Sequence, residues 1–186
     1  MSPISRDLTR EEVAAAVCAA LEQAGIPVVL SGGSVVSIYS DNQYESYDLD
    51  FIRTGLARKV DSVMAELGFR AQGRHWTHPE TDFWVEFPPG PVQIGEATVT
   101  RFAERRTPLG VLRLLAPTEC VMDRLVAWYH WNDAQCLDQA LAVARRHPID
   151  LGRIEEWSRG EHALEKFQIF RERLRALGGP RGEATR

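Results

Sequence analysis

The sequence predicts an α/β domain to about residue 116 followed by a helical C-terminal extension, and three observations carry that reading. A capped amphipathic helix leads into a short apolar segment that stops at Ser31-Gly32-Gly33 and restarts as a helix. Between Phe69 and Leu115 the chain turns to short segments rich in aromatic and β-branched residues, punctuated by Pro and Gly. From Pro117 onward the apolar spacing is helical only.

Taken in order, Thr9 and Glu12 form a capping box, Val13, Val17, Ala20, Leu21 and Ala24 make one stripe, and Gly25 is placed to close the helix. Residues 26–30 read as a buried strand, and residues 34–39 open a helix directly from the glycine turn. A polar loop over 41–47 precedes a second strand, Asp48-Leu49-Asp50-Phe51-Ile52. Val60, Val63, Met64 and Leu67 give 56–67 a helical period that ends at Gly68. Four strands follow, over 69–76, 82–87, 97–102 and 111–115. Pro117-Thr118-Glu119 starts a helix whose 120–131 stretch carries Val121, Leu125 and Trp128. Helices over 133–146, from the cap Asp150 through 157, and over 161–177 complete the extension. Residues 1–116 are thus read as the α/β domain, 117–180 as the extension and 181–186 as a disordered tail.

At 186 residues, with 44% hydrophobic and 26% charged, the composition is that of a globular domain with room for a core. A net charge of −4 and a pI near 5.8 exclude a protein that coats nucleic acid by bulk charge. No apolar stretch approaches the roughly 20 residues of a membrane helix, and Met1 to Arg6 lack a signal pattern. Cys18, Cys120 and Cys136, odd in number and in apolar helical settings, read as reduced, buried thiols of a cytoplasmic protein.

Three features carry chemistry. Gly32-Gly33-Ser34 lies between strand and helix, where backbone N–H groups face an anion and the Ser34 hydroxyl adds a donor. Alone it is an ordinary tight turn. Asp48 and Asp50, two apart in a strand, project from one face. Paired carboxylates are either solvated or bridged by a cation, and Mg²⁺ takes one or two carboxylates plus substrate phosphates. Glu86 sits in the apolar run Phe83-Trp84-Val85-Glu86-Phe87, where an unpaired charge is costly; a salt bridge to arginine is the plain explanation. Asp82 shares its parity, but follows Pro79-Glu80-Thr81 and reads as a strand-start residue, so Glu86 is favoured as the third carboxylate. His75 and His78 near Asp82 lack the spacing of a helical metal pair, and their segment reads as a β-turn. Trp128, Tyr129 and Trp131 around His130 read as core, with base stacking by Tyr129 or Trp131 the sharper reading. Arg105-Arg106 and Arg145-Arg146 read as solvated surface.

Strand, Gly-Gly-Ser, short helix and then Ser46-Tyr47-Asp48-Leu49-Asp50-Phe51-Ile52 resemble the signature of the nucleotidyltransferase-fold superfamily, over residues 26–140. The subgroup it looks most like is the bacterial abortive-infection toxin and minimal nucleotidyltransferase type. Pro117-Thr118-Glu119 and Asp123-Arg124-Leu125 match that type's helical start, with Arg124 where lysine is usual. Asn132-Asp133 resembles its charged dipeptide, while Cys136 replaces an acid, and Tyr44-Glu45 stand where an arginine often precedes the Ser-x-Asp-x-Asp step. The resemblance implies a mixed sheet flanked by helices. It also implies transfer of a nucleoside monophosphate from an NTP to a hydroxyl of a tRNA end, a protein or a small molecule such as an antibiotic. Two Mg²⁺ ions, about 3.5–4 Å apart, would be held by Asp48, Asp50 and Glu86. Gly32, Gly33 and Ser34 would hold the β/γ-phosphates, and Arg124 would neutralise pyrophosphate. A toxin–antitoxin partner protein is implied as well. The alternative is a non-catalytic nucleotidyltransferase-like binding module, an antitoxin or regulator.

Overall fold

A computed structural model describes residues 3–54 and 60–179. Helix α1 (Arg10–Gln23) starts at the expected box: the Thr9 hydroxyl accepts from Glu12 N, and Glu12 Oε2 accepts from Thr9 N at 2.9 Å. Strand β1 (Val28–Ser31) is buried throughout and passes straight into α2 (Gly32–Tyr39), so the helix begins on the first glycine rather than after the pair. Strand β2 (Asp48–Arg53) and the short α3 (Asp61–Glu66) follow. The first part of the expected 56–67 helix, like the 181–186 tail, lies outside the described residues.

The expected strand over 69–76 is instead a hairpin, β3 (Arg70–Gln72) and β4 (His75–His78), because Gly73 at φ +64° reverses the chain. Strand β5 (Thr81–Glu86) follows. The expected strand over 97–102 also divides. Strands β6 (Gln93–Ile94) and β7 (Ala97–Thr98) form a separate ribbon, while Phe102 opens β8 (Phe102–Thr107), which pairs with β9 (Gly110–Leu115). Glu104, Arg105 and Arg106 conceal β8 in the sequence because it is an edge strand, where charge is tolerated and discourages edge-to-edge pairing.

The extension consists of α4 (Pro117–Trp131), α5 (Ala134–Arg146), α6 (Leu151–Gly160) and α7 (Leu164–Ala176). Residue 161 caps α6, so the last helix starts three residues later than its periodicity suggests. Asp133 caps α5 by accepting from Gln135 N and Cys136 N.

The main sheet has the order β3-β4-β5-β2-β1-β9-β8. It is mixed: β5 runs parallel to β2 and β9 parallel to β1, and the other neighbours are antiparallel. Helix α1 packs on β9, β8 and β1, and α2 packs on β2, α4 and α5. One apolar core is continuous across residue 116, with Leu30, Phe51 and Leu114 in the same cluster as Val121, Leu125 and Phe167. The three cysteines are buried and unbonded. Among the described residues, no helix is long and apolar enough to cross a membrane.

Candidate functional site

Alternation along two adjacent strands builds the site. Leu49 and Phe51 of β2 and Val85 of β5 are fully buried, so Asp48, Asp50, Trp84 and Glu86 project from the opposite face, each half-buried. The parallel register pairs Asp48 with Trp84 and Asp50 with Glu86. Glu86 is therefore the cross-strand neighbour of Asp50, whereas Asp82 lies beyond the Asp48 end of the pairing and is exposed.

The first turn of α2 is pressed against these carboxylates. Gly32 has φ +72°, and a Cβ there would lie 2.5 Å from Asp50 Oδ2. A Cβ on Gly33 would meet Ser46 Oγ at 2.7 Å and stand 3.9 Å from Asp48 Oδ1. Both glycines thus let a helix N-terminus, with its unpaired N–H groups, approach the acidic strand. The Ser34 hydroxyl corrects the sequence expectation. It is fully buried and donates to the Asp48 carbonyl, so it bolts α2 to β2 instead of facing a phosphate. Ser34→Ala should leave that carbonyl short of a partner and cost about 1–3 kcal/mol, read as a lower midpoint in denaturant.

Charge is unbalanced here. Burial first, and then the nearby Asp48 and Glu86, push the Asp50 carboxyl up to about 6 from 3.8; Arg124 opposes that shift. Arg124, on α4, is itself held by Asp123, Nε to Oδ2 at 3.1 Å, and lies 3.5 Å from Gln139 Oε1. Glu86 Oε1 lies 2.6 Å from His75 Nδ1, and its other oxygen lies 3.8 Å from Arg74 Nε. The plain reading of Glu86 as a salt-bridged carboxylate therefore holds in part, yet its partners leave it beside Asp50. Among the described residues the Trp84 indole Nε1, next to Asp48 in register, is buried without a partner. No three His, Cys, Asp or Glu side chains among the described residues converge as a preformed metal cage.

Several neighbours escaped the sequence reading. His75 faces Glu86 because β4 pairs antiparallel with β5, a relation visible only once the Gly73 turn is recognised. Arg10 sits in α1 and reaches Ser46 across 36 positions, with no local signal to announce it. Asp123 is legible as an acid beside Arg124, but its hold on the guanidinium is not. Tyr129 is core, as the sequence reading has it, its hydroxyl 2.8 Å from Ser158 Oγ and its ring stacked on Trp157, whereas Trp131, read as core with it, is 74% exposed. Arg105 is half-buried over the Tyr39 ring and paired with Glu11, not free surface.

No protein-family model matches the sequence, and no curated protein matches it. Solved structures do. An antigenic nucleotidyltransferase-like protein from Paracoccidioides brasiliensis superposes with a TM-score of 0.53 at 16% identity, over 77% of this chain and 78% of that one. The fold is nucleotidyltransferase-like. The solution structure of antibiotic-resistance factor ANT(2'')-Ia also aligns, over 88% of this chain and 91% of that one, at 14% identity and a TM-score of 0.41. The mixed sheet with its flanking and C-terminal helices agrees with the architecture that the sequence predicts.

Proposed function

We propose that this chain moves a nucleoside monophosphate from an NTP to a hydroxyl of an RNA, a protein or a small molecule, with Mg²⁺ held by Asp48, Asp50 and Glu86. The observation that carries the reading is the acidic row across β2 and β5, closed on one side by a helix N-terminus. The donor set suits a hard cation. It offers carboxylate oxygens on one face, and the carboxyl of Asp50 is held up first by burial and then by its acidic neighbours, with Arg124 opposing them in part. No three such side chains stand together as a cage among the described residues, so the proposed Mg²⁺ would rest first on the Asp48–Asp50 pair and need phosphate oxygens and water to complete its shell. When bound, the metal polarises the phosphoryl group and lowers the pKa of the attacking hydroxyl.

The residues divide the remaining work by position. The N–H groups at Gly32 and Gly33 hold the β/γ-phosphates, beside the Asp48–Asp50 pair. Arg124, always charged, faces the pyrophosphate as negative charge develops there. Strand order sets Glu86 and His75 on the flank away from α2, so an acceptor hydroxyl enters past them, and Glu86 takes its proton.

The test is transfer from α-labelled NTPs in the presence of Mg²⁺. Glu86→Gln should lower kcat by roughly 10²-fold or more while leaving NTP affinity within about twofold, and Asp82→Asn should behave as wild type. Unchanged turnover in Glu86→Gln rejects its role. Wild-type protein that binds Mg²⁺–NTP without transferring anything supports the binding module, an antitoxin or regulator with a protein partner, in place of the enzyme.

A further inference from the structure

Arg10 is 7% exposed, although it opens α1 and carries a charge that is costly to bury. Its guanidinium is gripped on three sides. Nε donates to the Ser46 carbonyl at 2.9 Å, a terminal nitrogen donates to Asn42 Oδ1, and the plane lies over the Phe83 ring at 5.2 Å. Burial lowers its pKa, and the nearby acidic groups, Glu45 first, oppose that shift. Ser46, the residue it holds, in turn donates its hydroxyl to Asp48 Oδ1 and fills the space left by the missing Cβ of Gly33. The segment between α2 and β2 has left-handed Asp41 and Asn42, at φ +53° and +59°, and Asn42 N is tied back to the Ser37 carbonyl at 2.8 Å. Arg10 thus ends a relay that runs from α1 through the backbone of Ser46 to one oxygen of Asp48.

We propose that Arg10 is a positioning residue, setting the orientation of the Asp48 carboxylate through Ser46. The inference rests on the reading of Asp48 as part of the NTP site. An arginine that merely fastened α1 to the loop would not need the residue it grips to be the one bonded to Asp48. Lysine cannot replace it, since one ammonium does not span the Ser46 carbonyl and Asn42 with fork geometry.

A double-mutant cycle read by calorimetry decides the matter, titrating Mg²⁺ with non-hydrolysable α,β-methylene NTPs. Arg10→Lys and Ser46→Ala should each weaken metal-dependent nucleotide binding about tenfold, and the double variant should be no weaker than either, because both break one relay. Thermal melts run alongside report any loss of fold. If Arg10→Lys is not folded, Asn42→Gly takes its place in the cycle, loosening the same grip while accepting the left-handed backbone. Losses that multiply in the double variant, or wild-type affinity in Arg10→Lys, overturn the proposal and leave the nucleotide site standing. Absence of metal-dependent nucleotide binding in the wild type rejects the site itself, and the relay's function with it.

Discussion

Asp50→Asn is expected to melt higher than the wild type in metal-free buffer at neutral pH, and to lose the proposed nucleotidyl transfer by on the order of 10³-fold. The stability gain follows from the shifted carboxyl. Folded, Asp50 titrates near 6, against 3.8 for the ordinary group, because burial and two acidic neighbours disfavour its charge. Between about pH 4 and about pH 6 the folded chain binds a proton that the unfolded chain has lost. Stability therefore falls as pH rises through that window and stays low above it. The full linkage is on the order of 3 kcal/mol, and screening at the open face reduces it to about 1–2 kcal/mol. Removing the charge should raise Tm by roughly 3–6 °C, with the difference from wild type vanishing toward pH 4, in melts run with chelator. A variant that melts below the wild type at neutral pH would contradict this account of Asp50. Such a residue stabilises nothing in the empty fold, which makes sense where the ligand supplies the missing positive charge.

Gly32→Val should be the most damaging single change in the α2 turn. Its φ of +72° lies where a β-branched side chain is strained, and its Cβ would arrive 2.5 Å from Asp50 Oδ2. Strain of about 1–3 kcal/mol should lower the denaturant midpoint, and displacement of Asp50 should abolish Mg²⁺–NTP binding in calorimetry. Gly33→Ala tests the same wall more gently. Gly33 is not among the left-handed glycines, and its Cβ would meet the Ser46 hydroxyl, which can rotate, and the Ser46 Cβ at 3.1 Å, which must yield by a few tenths of an ångström. Its expected cost is lower affinity with an almost unchanged melt. Equal damage from the two substitutions would mean that the turn is sensitive for reasons other than backbone conformation and the carboxylate behind it.

The parts of the site that were legible in the sequence are those fixed by local periodicity. Asp48 and Asp50 share a face because strand side chains alternate, and Leu49 and Phe51 declare which face is core. Gly32-Gly33 declares a tight join of strand and helix, and at Gly32 the φ of +72° is one that glycine alone takes without strain. What stayed hidden depends on the tertiary partner. Nothing near Ser34 says that its hydroxyl bonds a carbonyl on β2, and nothing near Arg10 says that it will be buried against Ser46. Glu86 could be preferred to Asp82 by depth in the apolar run, but its adjacency to Asp50 comes from the parallel register, and its contact with His75 from a hairpin read as one strand. In the fold, the capping box of α1 and the periods of α4 and α5 were plain, while β8 was masked by the charges of an edge strand.

The most direct test is a crystal structure of the wild type with Mg²⁺ and an α,β-methylene NTP. The account predicts a divalent cation between the carboxylates of Asp48 and Asp50, the triphosphate along the first turn of α2 at Gly32 and Gly33, and Glu86 on the side left open for the acceptor. A nucleotide bound away from α2, with Asp48 and Asp50 holding no cation, would contradict it.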